Sequence, residues 1–205
     1  MERASRPDWL ELGLVLGLGA GNVAVEAFGL PKTPLVVGGI GLWAIHLAIR
    51  LRRDPGALRR WGLRADTLGP AARETAAVTA PLAGAMVAYG FACGHLPPPP
   101  GFWAILALYP AWGLAQNFLL NAMLARNLRT VLPEPAAVAL ATLLFSLSHA
   151  PDVEIMALTL LVAPLWLLLY RRNPNLWVLG VAHGVLGTLA FFAVLGRDVV
   201  GTLLG

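Results

Sequence analysis

Five polar side chains stand inside stretches that are otherwise apolar: Gln116, Asn117 and Asn121 in one, His149 in a second and His183 in a third. Histidine changes charge near neutral pH, so a pair of histidines can move protons, orient a water or ligate a metal. Carboxamides donate and accept hydrogen bonds but take up no proton at ordinary pH. Gln116 and Asn117 can therefore position a substrate or a water, and neither can act as a general base. With α-helical spacing Asn117 and Asn121, at i and i+4, share one face. Each residue alone reads equally well as interhelical glue. Three segments that all carry polar groups into apolar surroundings are what makes them candidates for one cavity.

The elements that must position them follow from the composition. The 205 residues are 58% hydrophobic and 13% charged, with a mean hydropathy of +0.70, far from a soluble globular domain. A bilayer core of about 30 Å takes about 20 apolar residues per helix. Seven apolar stretches are present: Trp9 to Leu30, Pro34 to Ile49, Ala71 to Cys93, Phe102 to Leu124, Pro135 to Ala150, Val153 to Tyr170 and Asn175 to Leu195. Pro31-Lys32-Thr33, the Arg-rich Arg50 to Arg64, the run Pro97 to Pro100, Leu132 to Pro135, Ala150-Pro151-Asp152 and Arg171 to Pro174 punctuate them, as breakers and charges should. The expected fold is all-α, a polytopic transmembrane helix bundle of about seven helices. Glu11 and Glu26 interrupt the first stretch and no small-residue cleavage site follows, so it reads as a first span and not as a removed signal.

Orientation follows from the basic residues, which resist translocation. With the N-terminus inside, Arg3, Arg6, Arg50, Arg52, Arg53, Arg59, Arg60, Arg64, Arg73, Arg126, Arg129, Arg171 and Arg172 fall on the cytoplasmic face, and Lys32 and Arg197 outside, thirteen against two. The N-terminus is thus expected in the cytoplasm, and the net charge of +4 reflects topology and contact with anionic lipid headgroups. Nucleic acid is not expected as a partner. The single cysteine, Cys93, excludes an internal disulfide and a thiolate metal cluster. Counting about 1.5 Å per residue from the span ends places Gln116 and His183 about 12 Å, and His149 about 21 Å, above the cytoplasmic boundary. Gly13, Gly17 and Gly21 on the first span, and Gly180 and Gly184 on the last, have the spacing that lets helices approach closely. The first set is expected to pack on a neighbour in the same chain in preference to a second copy. His46 is expected near the inner end of the second span and His95 in an outer loop, and no internal repeat suggests a transporter.

At the five polar positions the chain resembles the CAAX-protease and bacteriocin-processing (CPBP) intramembrane proteases, whose signatures are Glu-Glu-x-x-x-Arg, Phe-x-x-x-His and His-x-x-x-Asn on three core segments in this order. Phe145 to His149 matches the second. His183 matches the histidine of the third, with Gly187 where asparagine is expected, and Gln116-Asn117-Phe118-Leu119-Leu120-Asn121 stands at the first with both glutamates and the arginine replaced. Arg60-Trp61-Gly62-Leu63-Arg64 looks like the family's lead-in to its core. The resemblance covers about residues 60 to 195 and divides the chain into an N-terminal transmembrane hairpin with a basic cytoplasmic loop, 1–59, and a CPBP-like core, 60–205.

The resemblance implies an intramembrane endopeptidase, a hydrolase of membrane-associated peptides or prenylated C-termini, in which a glutamate activates water. By it His149, His183, Gln116 and Asn117 are the catalytic candidates, and Asn121 and Phe145 the substrate-binding ones. It also allows zinc as a cofactor, but two histidines fall short of the three or four ligands a zinc site needs. The joint loss of two glutamates and one arginine is electrically coherent, since a buried arginine left alone would be an unpaired charge. Glu26, Glu74 and Glu154 are the candidate carboxylates to replace them, without a motif behind any. Two functions remain: a divergent endopeptidase acting on membrane-associated or lipidated peptides, or a pseudoprotease that binds peptide or lipid in the same cavity without catalysis. Either would be a multi-pass protein, expected in a bacterial-type cytoplasmic membrane with membrane lipids as partners.

Overall fold

In a computed structural model, which describes residues 7–199, the chain is 78% helix with no strand among the described residues. The helices run α1 Trp9–Ala27, α2 Thr33–Arg53, α3 Ala57–Arg60, α4 Leu68–Ala92, α5 Gly101–Asn117, a π-helical segment Phe118–Ala125, α6 Arg126–Leu128, α7 Glu134–Leu147, α8 Val153–Arg172, α9 Leu176–Leu189 and a second π-helical segment Ala190–Val194. Each of the seven expected apolar stretches is helical. Among the described residues α1, α2, α4, α8 and Leu176–Val194 are long and apolar enough to cross a membrane, and the chain is an integral, multi-pass, all-α membrane protein. The other two expected spans are modified. The fourth is α-helical only to Asn117 and π-helical from Phe118, and the fifth, α7, has 14 residues, a length of about 21 Å. Arg3 and Arg6 lie outside the described residues.

The chain falls into two compact units, Met1–Trp61 with Leu119–Leu168, and Gly62–Phe118 with Leu169–Gly205. In unit 1, α1 packs on α2 and on α7. Asp8 caps α1, its carboxylate accepting from the Glu11 amide, which satisfies one of the donors that every helix start leaves open. Pro34 and Pro135 stand in the first turns of α2 and α7, where their missing N–H costs nothing.

Of the α1 glycines expected to seat a neighbouring helix, only Gly21 does so, against the Leu35 side chain. A Cβ on Gly13 or Gly17 would meet no described atom within 4 Å. Gly19, off the spaced series, faces Ser148 instead, at 3.4 Å. Spacing by four marks a stripe on a helix, and it does not say which part of the stripe meets protein and which meets lipid.

In unit 2, α9 packs on α5 and α4, and its π-helical continuation on α4. The α5–α9 crossing is a backbone contact. A Cβ on Gly113 would lie 2.7 Å from the Gly180 carbonyl, one on Gly180 2.9 Å from Leu114 Cα, and one on Gly184 2.5 Å from the Pro110 nitrogen. Gly180 and Gly184 therefore pack within the chain, as expected. Phe102, Leu189, Phe192 and Ala193 close one end of this unit, with Met86, Val87 and Leu96 around them.

The lead-in motif has a mechanical part to play here. Gly62 adopts φ +84°, a conformation open chiefly to glycine, and its carbonyl accepts from the Leu176 amide at 2.9 Å. Asn175, fully buried, caps α9 through Val178 and donates to the Arg64 carbonyl at 2.8 Å. The start of α9, the helix that carries His183, is held by residues 62–67.

Candidate functional site

The candidate residues fall in both units. Gln116, Asn117 and His183 belong to unit 2, and Asn121, Phe145 and His149 to unit 1.

In unit 2 the close approach of α5 and α9 brings Asn117 to His183. The Asn117 amide is fully buried. Its nitrogen donates to the Gly113 carbonyl at 3.0 Å and lies 3.0 Å from His183 Nδ1. The carbonyl fixes which end of the amide faces inward, because only the NH2 can donate to it. The same NH2 cannot accept, so Nδ1 of His183 is the acceptor, and the neutral ring carries its proton on Nε2. Tyr109, one helix turn above Gly113, sets its ring 6.3 Å from that of His183 and 5.9 Å from Phe191. A Cβ on Gly187 would strike the Tyr109 ring at 2.2 Å, so the position where the family carries asparagine is filled by an aromatic side chain from α5. Thr188 turns its hydroxyl back onto the Gly184 carbonyl at 2.8 Å and spends its donor inside α9.

In unit 1 His149 sits in the turn after α7. Its Nδ1 lies 2.8 Å from the Phe145 carbonyl. A carbonyl only accepts, so here the proton of the neutral ring is on Nδ1, and Nε2 is the basic nitrogen. The Phe145 ring meets the imidazole edge to face, with centroids 5.0 Å apart. Asn22 of α1 donates to the Ser148 carbonyl at 2.9 Å, and the Ser146 hydroxyl to the Met156 carbonyl at 2.8 Å, so α1 and α8 both brace the turn. Asn121, fully buried, lies in the π-helical segment. The expectation that it shares a face with Asn117 presumes α spacing, and the i→i+5 pattern from Phe118 onward changes that register.

The strongest polar constellation is one that the motif reasoning passed over. Glu11 of α1 has no exposed surface. One carboxylate oxygen is paired with the Arg126 guanidinium and accepts from Asn127 Nδ2 at 2.8 Å. The other faces Arg50 at 3.4 Å and His46 Nε2 at 3.5 Å. Asn127 also donates to the Met123 carbonyl at 2.7 Å and accepts from the Asp8 amide at 2.7 Å. The signal was available, because an ionisable residue inside an apolar run is a site hypothesis by default. His46 is nearly buried, edge to face with Trp43 at 5.6 Å. Glu26 instead pairs with Lys32, and His95 is a loop residue whose Nδ1 lies 3.0 Å from the Ala193 carbonyl.

Among the described residues no three His, Cys, Asp or Glu side chains are grouped to hold a metal, so the donor set does not fit the zinc that the family resemblance allows. For neutral rings, the Nδ1 contacts leave one histidine with a basic Nε2 and the other with an Nε2–H donor.

No curated protein and no solved structure matches the chain significantly. A family match begins at the start of the proline run and ends with α9, so it includes all six candidate residues and leaves out Glu11, His46 and Arg50. The stretch 97–189 matches the family model described as type II CAAX prenyl endopeptidase Rce1-like.

Proposed function

We propose that this CAAX-protease-like membrane protein binds membrane-associated or lipidated peptides through the core that carries its two motif histidines, and that any hydrolysis it performs runs without a carboxylate base. The observation behind this reading is the Asn117–His183 hydrogen bond. A glutamate at position 117 would accept a proton from Nδ1 and favour the imidazolium. Asn117 donates instead, which leaves His183 neutral with an Nε2–H suited to a carbonyl oxygen of the peptide. His149, with its proton on Nδ1, has the tautomer of a base toward water. Gln116, Asn121 and Phe145 are assigned to peptide contacts. The N-terminus is placed in the cytoplasm, with the segment from Arg52 to Arg64 on the same side. Labelling of single cysteines in that segment from the outer face would reverse this.

A second reading is a pseudoprotease that binds and does not cut. Asn117 favours it, since its amide is pinned by the Gly113 carbonyl and takes up no proton. Loss of a general base costs on the order of 10² to 10⁴ in rate. The two readings separate in one experiment on the purified protein with farnesylated and unmodified peptides, in which both capture and cleavage are followed. Capture of the lipidated peptide that weakens in His183→Ala supports the proposal. Slow cleavage abolished by His149→Ala makes the protein an enzyme, and capture without cleavage makes it a pseudoprotease. Absence of capture for every membrane peptide overturns both.

A further inference from the structure

Where α1 begins and α2 ends, a cavity of about 420 Å3 opens between Asp8, Trp9, Arg50, Arg126, Asn127 and Thr130, all in unit 1. Most of its polar wall is already committed. Asn127 uses both ends of its amide on Glu11, Met123 and Asp8, and the Thr130 hydroxyl donates to the Asn127 carbonyl at 2.7 Å. One Asp8 oxygen caps α1 through the Glu11 amide. Glu11 beneath the wall is matched by Arg126, Asn127, Arg50 and His46.

The guanidinium groups are not used up. A guanidinium has five N–H donors. Arg126 places Nε on the Ala122 carbonyl at 2.7 Å and one terminal nitrogen on Glu11. Arg50 reaches Glu11 and Asp8 only at 3.4 and 3.6 Å, beyond ordinary hydrogen-bond length, and its buried Nε has no hydrogen-bond partner. The donor capacity left in this wall is thus that of two arginines, and its complement is a compact anion with several acceptor oxygens. Phosphate fits the planar fork in bidentate fashion.

The surroundings decide what carries the phosphate. Trp9 and Leu10, in the first turn of α1, are 70% and 61% exposed, and a tryptophan beside a charged helix end marks the headgroup level of a bilayer. Arg50 is followed by Arg52 and Arg53 at the end of α2, on the face that the basic residues predict to be cytoplasmic. Asp8 adds an acceptor next to the guanidinium groups, which suits a headgroup with a donor beside its phosphate. We infer that this cavity is a phospholipid-headgroup site in which Arg50 and Arg126 hold the phosphate and Asp8 receives an ammonium or hydroxyl of the same headgroup.

The test uses the full chain in detergent, titrated with short-chain phosphatidylethanolamine and followed by native mass spectrometry and by the shift in Tm. Saturable binding is expected, weakened about tenfold or more in Arg50→Gln, as loss of a charge-assisted hydrogen bond implies. Thr130→Trp fills the cavity without touching the Glu11 ion pairs, and is expected to lose binding while the protein stays folded. It carries the test should Arg50→Gln not fold. Short-chain diacylglycerol, which lacks the phosphate, should not compete. Equal affinity for diacylglycerol, or unchanged binding in Thr130→Trp, overturns the site. Inorganic phosphate that binds as tightly as the lipid overturns the lipid assignment in favour of a soluble phosphate.

Discussion

Glu11 in unit 1 and Asn117 in unit 2 are both fully buried polar side chains in an apolar chain, yet one sits among cationic side chains and the other pairs with a histidine. Access to water for the partners accounts for the contrast. Arg126 and Arg50 are 40% and 35% exposed, so their charged heads stay solvated while their stems cover apolar surface. A carboxylate two or three residues inside the helix end can then keep its charge. Asn117 is the last residue of α5, where the span continues as a π-helix, and it faces a helix whose backbone is in direct contact with α5. There a carboxamide satisfies the histidine without a charge that would need a counter-ion. Within one chain, a carboxylate near a helix start gathers solvated arginines, and an amide at a close helix crossing pairs with a histidine.

The largest effect should come from breaking the charged side. Glu11→Ala leaves two arginines and His46 without their shared partner. Breaking a buried ion pair costs about 3 to 5 kcal/mol, reduced here to about 2 to 3 kcal/mol because both arginines are more than a third exposed and regain water. Unfolding in detergent followed by circular dichroism measures it, and a loss below the cost of one ordinary hydrogen bond would mean that these contacts do not stabilise the fold. The next effect is steric. Gly184→Ala sets a methyl 2.5 Å from the Pro110 nitrogen, so α5 and α9 must separate at a cost of about 1 to 3 kcal/mol. The same change should relax the Asn117–His183 contact, visible as a shift of the imidazole nitrogen resonances. A wild-type Tm in this variant would show that the crossing is loose.

A smaller effect sharpens the neutral side. Asn117→Leu removes the hydrogen bonds to the Gly113 carbonyl and to His183 at a cost of about 1 to 2 kcal/mol, while Asn117→Asp replaces the donor toward Nδ1 with an acceptor. The expected outcome is a change of tautomer: ¹⁵N spectra of His183 should show the proton on Nε2 in the native chain and on Nδ1 in Asn117→Asp. Identical spectra would refute the tautomer assignment on which the proposed function rests. The smallest effect is expected at Gly13, where a methyl group meets no described atom within 4 Å. Gly13→Ala should be neutral or stabilise by up to about 1 kcal/mol through helix propensity. A marked loss there would point to a partner seated on that stripe.

Helices of this kind are legible in a sequence because an apolar run flanked by prolines and arginines is a local pattern, and a backbone without water must satisfy its hydrogen bonds within its own segment. All seven stretches, the candidate histidines and the family resemblance followed from such patterns. Partnership did not. Glu11 reads as an interruption of an apolar run until Arg126, 115 residues away, is brought beside it, and Asn117 has no preferred histidine until α5 and α9 cross at their glycines. Nor could spacing foresee that the fourth span turns π-helical at Phe118, or that Gly13 and Gly17 face away from the protein. The sequence by itself determined which segments leave water and which polar residues go with them. Only the tertiary structure decided which of those residues meet, and so which stay charged, because the pairing of buried polar groups depends on distances between helices that no local periodicity encodes.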